Sequence, residues 1–75
     1  MRELVELIAK ALVDHPDEVV VTQTQAGKNI RIQLHVAPSD MGKVIGKQGR
    51  IAKAIRSVVK AAASRDDIRV DVDID

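Results

Sequence analysis

DMGKVIGKQGRIAKAIR, Asp40 to Arg56, is the stretch on which the reading of the chain turns. It looks ready to form helix, yet three glycines and five cations fall within it, and Gly46-Lys47-Gln48-Gly49 interrupts the pattern near its middle. A glycine inside a helix costs about 0.5–1 kcal/mol relative to alanine, so this spacing predicts two helices joined by a turn. Pro38 stops whatever precedes the stretch, and Ser39 or Asp40 can cap a short helix that runs through Ile45. Beyond the turn, Ile51, Ala54, Ile55, Val58 and Ala62 project to one side of a helix, while Arg50, Lys53, Arg56 and Lys60 project to the other.

Working outward, the residues before Pro38 contain the clearest strand. Ile30, Ile32, Leu34 and Val36 alternate with Arg31, Gln33 and His35, which places one face in a core and the other in water. Ala26-Gly27-Lys28-Asn29 reads as a turn joining it to an earlier strand over Glu18 to Gln25, rich in β-branched and Gln residues. Val19, Val20 and Val21 in succession leave the facing of that strand open. At the start of the chain Leu4, Leu7, Ile8, Ala11 and Leu12 share a helical face, with Arg2, Glu6 and Lys10 largely opposite, and Pro16 ends this helix. At the other end, Ile68, Val70, Val72 and Ile74 alternate with Arg69, Asp71, Asp73 and Asp75 as a last strand. A short turn makes the first two strands antiparallel, and a crossover through two helices makes the last strand parallel to its neighbour. The expected fold is α+β, in the order αββααβ, with three helices on one face of a mixed three-stranded sheet.

Composition narrows what such a fold can do. With 75 residues the chain is expected to be a single domain, 1–75, near the size at which one core is marginally stable. It has no cysteine, which excludes disulfides and thiolate metal sites and suits a reducing cytoplasm. Charged residues spaced through the first 15 positions are unlike a signal peptide or a membrane span. There is no Phe, Tyr or Trp, so the core is aliphatic and no base can stack on a phenyl, phenol or indole ring. The net charge of +1 hides a strong segregation: residues 43 to 65 hold seven of the twelve bases and none of the eleven acids. A one-sign block on an otherwise acidic chain is an electrostatic footprint for a polyanion, although a solvated helix face produces the same pattern.

Three phosphate-binding loops can be tested against these glycines. A P-loop needs four residues between its glycines and then Lys followed by Ser or Thr; Gly42 and Gly46 are separated by three, and Gln48 follows Lys47. The dinucleotide fingerprint needs a glycine at position 44, which is Val, and a strand leading into the loop. The third pattern, G-x-x-G between two short helices, fits throughout. Glycines there let the backbone turn sharply and let a sugar-phosphate chain approach. Lys47 adds charge, the amides that open the next helix favour an anion, and Val44 and Ile45 are placed to offer aliphatic surface to bases. The plainer alternative is a tight helix–helix turn with exposed cations.

VIGKQGR within VAPSDMGKVIGKQGRIAKAIR resembles the KH domain family, and the element order resembles its type II form. The likeness runs essentially from end to end. It implies an RNA-binding protein without catalytic activity or cofactor, gripping about four single-stranded nucleotides beside the G-x-x-G loop. Carried over by position, the loop is Gly46, Lys47, Gln48 and Gly49, flanked by Lys43, Val44, Ile45, Arg50 and Lys53. The turn around Lys28 is the variable loop at the groove's other edge, and Ile32 and Leu34 lie on the adjoining strand. The resemblance also implies an RNA chaperone or post-transcriptional regulator linked to cell elongation and division, and a homodimer or a heterodimer with a larger KH-containing protein. Ala52 stands where many KH domains carry isoleucine, so their sequence preferences do not transfer.

Other function classes find less support. His15, His35, Ser39, Ser57, Ser64 and the acids form no pair at a spacing suited to acid–base or metal chemistry. Of Asp66, Asp67, Asp71, Asp73 and Asp75, the last three fall at alternate strand positions, and the series does not form a compact calcium loop. A protein-interaction module, in which the basic helix docks an acidic partner or a second copy, is the competing reading.

Overall fold

The computed structural model describes residues 1–75, with every side chain except that of Lys47. Helix α1 (Arg2–Leu12) leads through a single 3-10 turn (Pro16–Glu18) to β1 (Val20–Ala26) and β2 (Asn29–His35), then α2 (Pro38–Arg65) and β3 (Arg69–Ile74). The sheet order is β1-β2-β3, with β1 antiparallel and β3 parallel to the central β2. This is the expected mixed sheet. The hairpin turns on Gly27 and Lys28, and a φ of +60° at Gly27 suits the first central position of a type II′ turn.

The run Pro38–Arg65 is helical from end to end but is not one straight helix. Gln48 and Gly49 have φ of +64° and +66°, a left-handed pair that a right-handed helix cannot carry without a break. A straight helix of 28 residues would measure about 42 Å, longer than the 35 Å greatest extent of the Cα trace. The helix therefore consists of two limbs that meet at the predicted place, giving three helices against the sheet.

Burial shows what each element contributes. On β2, Ile30, Ile32 and Leu34 are buried while Arg31, Gln33 and His35 are exposed. Val19 and Val21 point into the core and Val20 is 53% exposed, which settles the facing of the valine run. The first limb of α2 buries Val44, and the second buries Ala52, Ile55, Val59 and Ala63. That seam is rotated from the expected one: Ala54 and Val58 are exposed, and Ile51 and Ala62 are half-buried.

Helix α1 is rotated further. Its buried residues are Val5 and Ala9, followed by Val13 beyond the helix end, while Leu7 is 69% exposed and Leu12 and Ala11 are also exposed. The helix carries two overlapping apolar stripes, and the one with the small Ala9 and the compact valines allows the closer approach to the sheet. Outside, the Lys10 ammonium donates to the Glu6 carboxylate at 2.9 Å and holds its pKa below the ordinary value, with Arg2 adding a smaller effect.

Two boundaries also differ from expectation. Helix α1 ends at Leu12, and Pro16 opens the 3-10 turn instead of closing the helix. Helix α2 begins at Pro38 with Ala37 before it, so neither Ser39 nor Asp40 is its N-cap. Asp40 is fully buried, and its two carboxylate oxygens accept the backbone N–H groups of Asp14 at 3.1 Å and His15 at 3.0 Å. It ties the exit of α1 to the start of the limb that leads to the GKQG turn, and Lys43 reinforces the tie by donating to the Asp14 carboxylate at 3.0 Å.

Replacing Asp40 by alanine leaves two amides without their charged acceptor, and is expected to cost about 3 kcal/mol. In a domain of this size that lowers the melting temperature by on the order of 15 °C. Asp40→Asn, which keeps one acceptor, is expected to lose about half as much, as read by thermal and urea unfolding.

Candidate nucleic-acid interface

The two limbs of α2 and the edge strand β3 frame a groove in two stretches. The smaller, about 220 Å³, is lined by Ile45, Gly49, Ala52, Lys53, Arg56 and Ile74 and lies beside the GKQG turn. The larger, about 490 Å³, continues between the second limb and β3, with Val59, Ala63, Val70 and Val72 among its walls and Lys60 and Arg69 at its rim. Arg56 borders both, and one of its guanidinium nitrogens makes a long 3.4 Å contact to the Val72 carbonyl. The groove thus runs from the turn along the strand, with more than half of its space away from the turn.

Its two walls differ in chemistry. The helix wall carries Lys53, Arg56 and Lys60, spaced three and four apart so that they stand on one ridge. All three are exposed. The strand wall offers backbone. The N–H groups of Arg69 and Asp75 donate to the Lys28 and Leu34 carbonyls at 2.8 and 2.9 Å, and in a parallel ladder alternate residues face the neighbouring strand. Arg69, Asp71, Asp73 and Asp75 therefore turn their peptide groups toward β2, while those of Val70, Val72 and Ile74 face the groove. An edge strand presents such groups to whatever lies alongside.

The turn itself divides the roles of its glycines. Gly49 needs its left-handed φ, whereas Gly46 has no such requirement, and a Cβ at either position would meet no atom within 4 Å. Gly46 therefore leaves open surface instead of solving a packing problem. Gln48 holds a left-handed φ that is uncommon for a residue with a side chain.

The residues singled out from the sequence spread over several environments. Ile45, 54% exposed, Gly49 and Lys53 line the groove. Gly46 and Gln48 lie at the turn, and the side chain of Lys47 lies outside the described residues. Val44 is fully buried beneath the turn and has no surface to offer a base. Arg50 is exposed but lines neither stretch, and Lys43 is drawn to Asp14. Ile32 and Leu34 are wholly core. Lys28 lies at the far end of the larger stretch, next to Arg69, with its ammonium 3.1 Å from the Asp67 carboxylate. The site list drawn from the sequence omits Arg56, Lys60 and the outward edge of β3. The spacing of Lys53, Arg56 and Lys60 was a legible signal for the first two; the edge depends on strand order. Among the described residues no three His, Cys, Asp or Glu side chains cluster to hold a metal ion, and no helix is long and apolar enough to cross a membrane.

Comparison with known proteins places this geometry in context. The chain matches the family model described as KhpA/KhpB, KH domain, over residues 2–74. It is 61% identical over 74 residues to the RNA-binding protein KhpA of Clostridium acetobutylicum, covering 99% of each chain. It is 62% identical, with the same coverage, to the protein of that name from Caldanaerobacter subterraneus subsp. tengcongensis. The Listeria monocytogenes protein is 49% identical over 99% of this chain and 97% of its own. No solved structure is significantly similar to the chain.

The two turn glycines are expected to respond differently to substitution. Gly49→Ala forces a left-handed alanine and should cost about 1–2 kcal/mol in urea unfolding. Gly46→Ala should leave stability unchanged or raise it by up to about 1 kcal/mol.

Proposed function

The chain belongs to the KhpA/KhpB family of KH domains, and we propose that it is a non-catalytic binder of single-stranded RNA that holds a few nucleotides in the groove between α2 and β3. The observation that carries this reading is the groove's asymmetry: three cations on one wall and strand-edge peptide groups that face no neighbouring strand on the other. Phosphates follow the helix wall from the GKQG turn past Lys53, Arg56 and Lys60. Bases point across the groove, where the N–H and C=O groups of Val70, Val72 and Ile74 meet their edges. At the turn, Gly46 and Gly49 admit the backbone closely, and the amides that open the second limb favour an anion. Ile45 and Ile74 supply apolar surface for a base in place of the Phe, Tyr and Trp rings that the chain lacks.

One short groove binds only a few nucleotides, so useful affinity calls for two grooves acting together. This supports a homodimer, or a heterodimer with a larger KH protein of the KhpB type. Leu7 and Leu12 on α1 and Val58 on α2 are exposed apolar residues that line neither stretch of the groove. A partner covering them leaves the groove open. The resemblance further supports action in the cytoplasm as an RNA chaperone or post-transcriptional regulator, bearing on cell elongation, division and wall biogenesis.

The test is binding of the purified protein to labelled single-stranded RNA. With about three phosphates neutralised, affinity should fall roughly 20-fold between 50 and 200 mM salt. Lys47→Asp combined with Gln48→Asp should abolish binding while the circular dichroism spectrum is kept, since aspartate tolerates the left-handed conformation at position 48. Arg56→Glu should weaken binding through the groove itself. Unchanged binding in the folded double variant, or no binding by the parent protein, rejects this reading in favour of a protein partner docked on the basic helix.

A further inference from the structure

The stretch of groove beside the GKQG turn has a floor as well as two walls. Ala52 forms the floor: it is 5% exposed, belongs to the aliphatic core, and lines this stretch with only a methyl group. Ile45, more than half exposed, borders it from the first limb of α2, and the half-buried Ile74 borders it from β3. Gly49 leaves the side next to the turn open, since no atom lies within 4 Å of where its Cβ would be. Lys53 and Arg56 complete the lining. The result is a pocket of about 220 Å³ with an apolar floor and walls and two cations beside it. That is below the roughly 300–1,000 Å³ that holds a drug-sized molecule, and of a size for one flat base.

We propose that this pocket reads the size of the base it takes, preferring purines to pyrimidines, and that Ala52 sets the preference. The inference rests on the single-stranded RNA reading and specifies which kind of nucleotide stands beside the turn. With phosphates drawn to Lys53 and Arg56, a base enters between Ile45 and Ile74 with its faces against aliphatic carbon. Burial of apolar surface is non-directional and grows with the area removed from water. A two-ring base therefore gains more than a one-ring base wherever the depth of the pocket admits its second ring. Roughly 40 Å² of additional ring surface taken from water is worth about fivefold in affinity. Ala52 supplies that depth. Isoleucine at this position would carry three more carbons into the floor and hold the second ring out in solvent, so that both kinds of base would bury similar area. Stacking on aromatic rings tolerates every base. With no Phe, Tyr or Trp in the chain, the shape of an aliphatic pocket carries a larger share of the discrimination. The larger stretch, at about 490 Å³, sets no such limit on the base it accepts.

The test compares four labelled RNAs by fluorescence anisotropy: uridine octamers in which one central nucleotide is adenosine, guanosine, cytidine or uridine. The parent protein is expected to bind the adenosine and guanosine octamers about fivefold more tightly than the other two. Agreement between the two purines separates size from hydrogen bonding, because their edges present different donors and acceptors. Ala52→Ile should bring the purine advantage below about twofold and leave the pyrimidine octamers within about twofold of their parent affinity. Because Ala52 also belongs to the core, folding of this variant is checked by circular dichroism. Ile45→Ala, at an exposed position, removes one wall and should reduce the purine advantage in the same way; it decides alone if Ala52→Ile does not fold. A parent ranking that does not put both purines first, or a full purine advantage surviving in either folded variant, overturns the size reading and leaves RNA binding standing. Failure of the parent to bind any of the four octamers overturns both.

Discussion

The fold depends on a mismatch of lengths. Strands of six or seven residues make a sheet only about 20 Å long, whereas the helical run between β2 and β3 has 28 residues. Unbroken, that run would overshoot the sheet and leave half of its apolar residues in water. The left-handed pair at Gln48 and Gly49 turns it back, so Val44 reaches the core from one limb and Ile55, Val59 and Ala63 from the other. The same reversal delivers the chain to β3 in parallel with β2. The break that makes the core possible is also the place where backbone lies open at the surface, which is why the packing and the candidate site share residues.

Asp40 shows how such a break is held in place. A short limb contributes little burial of its own, and its orientation would be poorly determined by Val44 alone. A buried carboxylate accepting two backbone amides from the end of α1 supplies the missing direction. Hydrogen bonds to a charged acceptor are stronger than neutral ones, and leaving the amides unpaired is costly. The turn beyond the limb thus inherits its position from a contact some distance away in sequence.

Charge is distributed to match. The basic block from residue 43 to 65 becomes a ridge along one side of a groove, and the alternating acids of β3 stand on the sheet's open face. Arg56 joins the two stretches of the groove and touches the strand edge. The two sides of the groove therefore differ in potential, cationic along the helix and neutral to acidic along β3.

Much of this was legible in the residues. Alternation in Ile30 to Val36 fixed the central strand because a two-residue period has only one way to bury its apolar face. The glycines at 46 and 49 located the break, although only Gly49 takes a left-handed backbone that few other residues tolerate. The cations of residues 43 to 65 stood out because no acid interrupts them. What tertiary structure alone decided is which of several near-equivalent faces is buried. On α1 the expected stripe through Leu4, Leu7, Ile8, Ala11 and Leu12 and the buried one through Val5 and Ala9 are centred roughly 110° apart around the helix, and the choice falls to whichever packs more closely on the sheet. Asp40 reads locally as a helix cap and becomes a long-range tie, because its partners are brought to it from 25 and 26 residues away. The outward edge of β3 belongs to no single residue: it exists because β2, and not β3, is the middle strand.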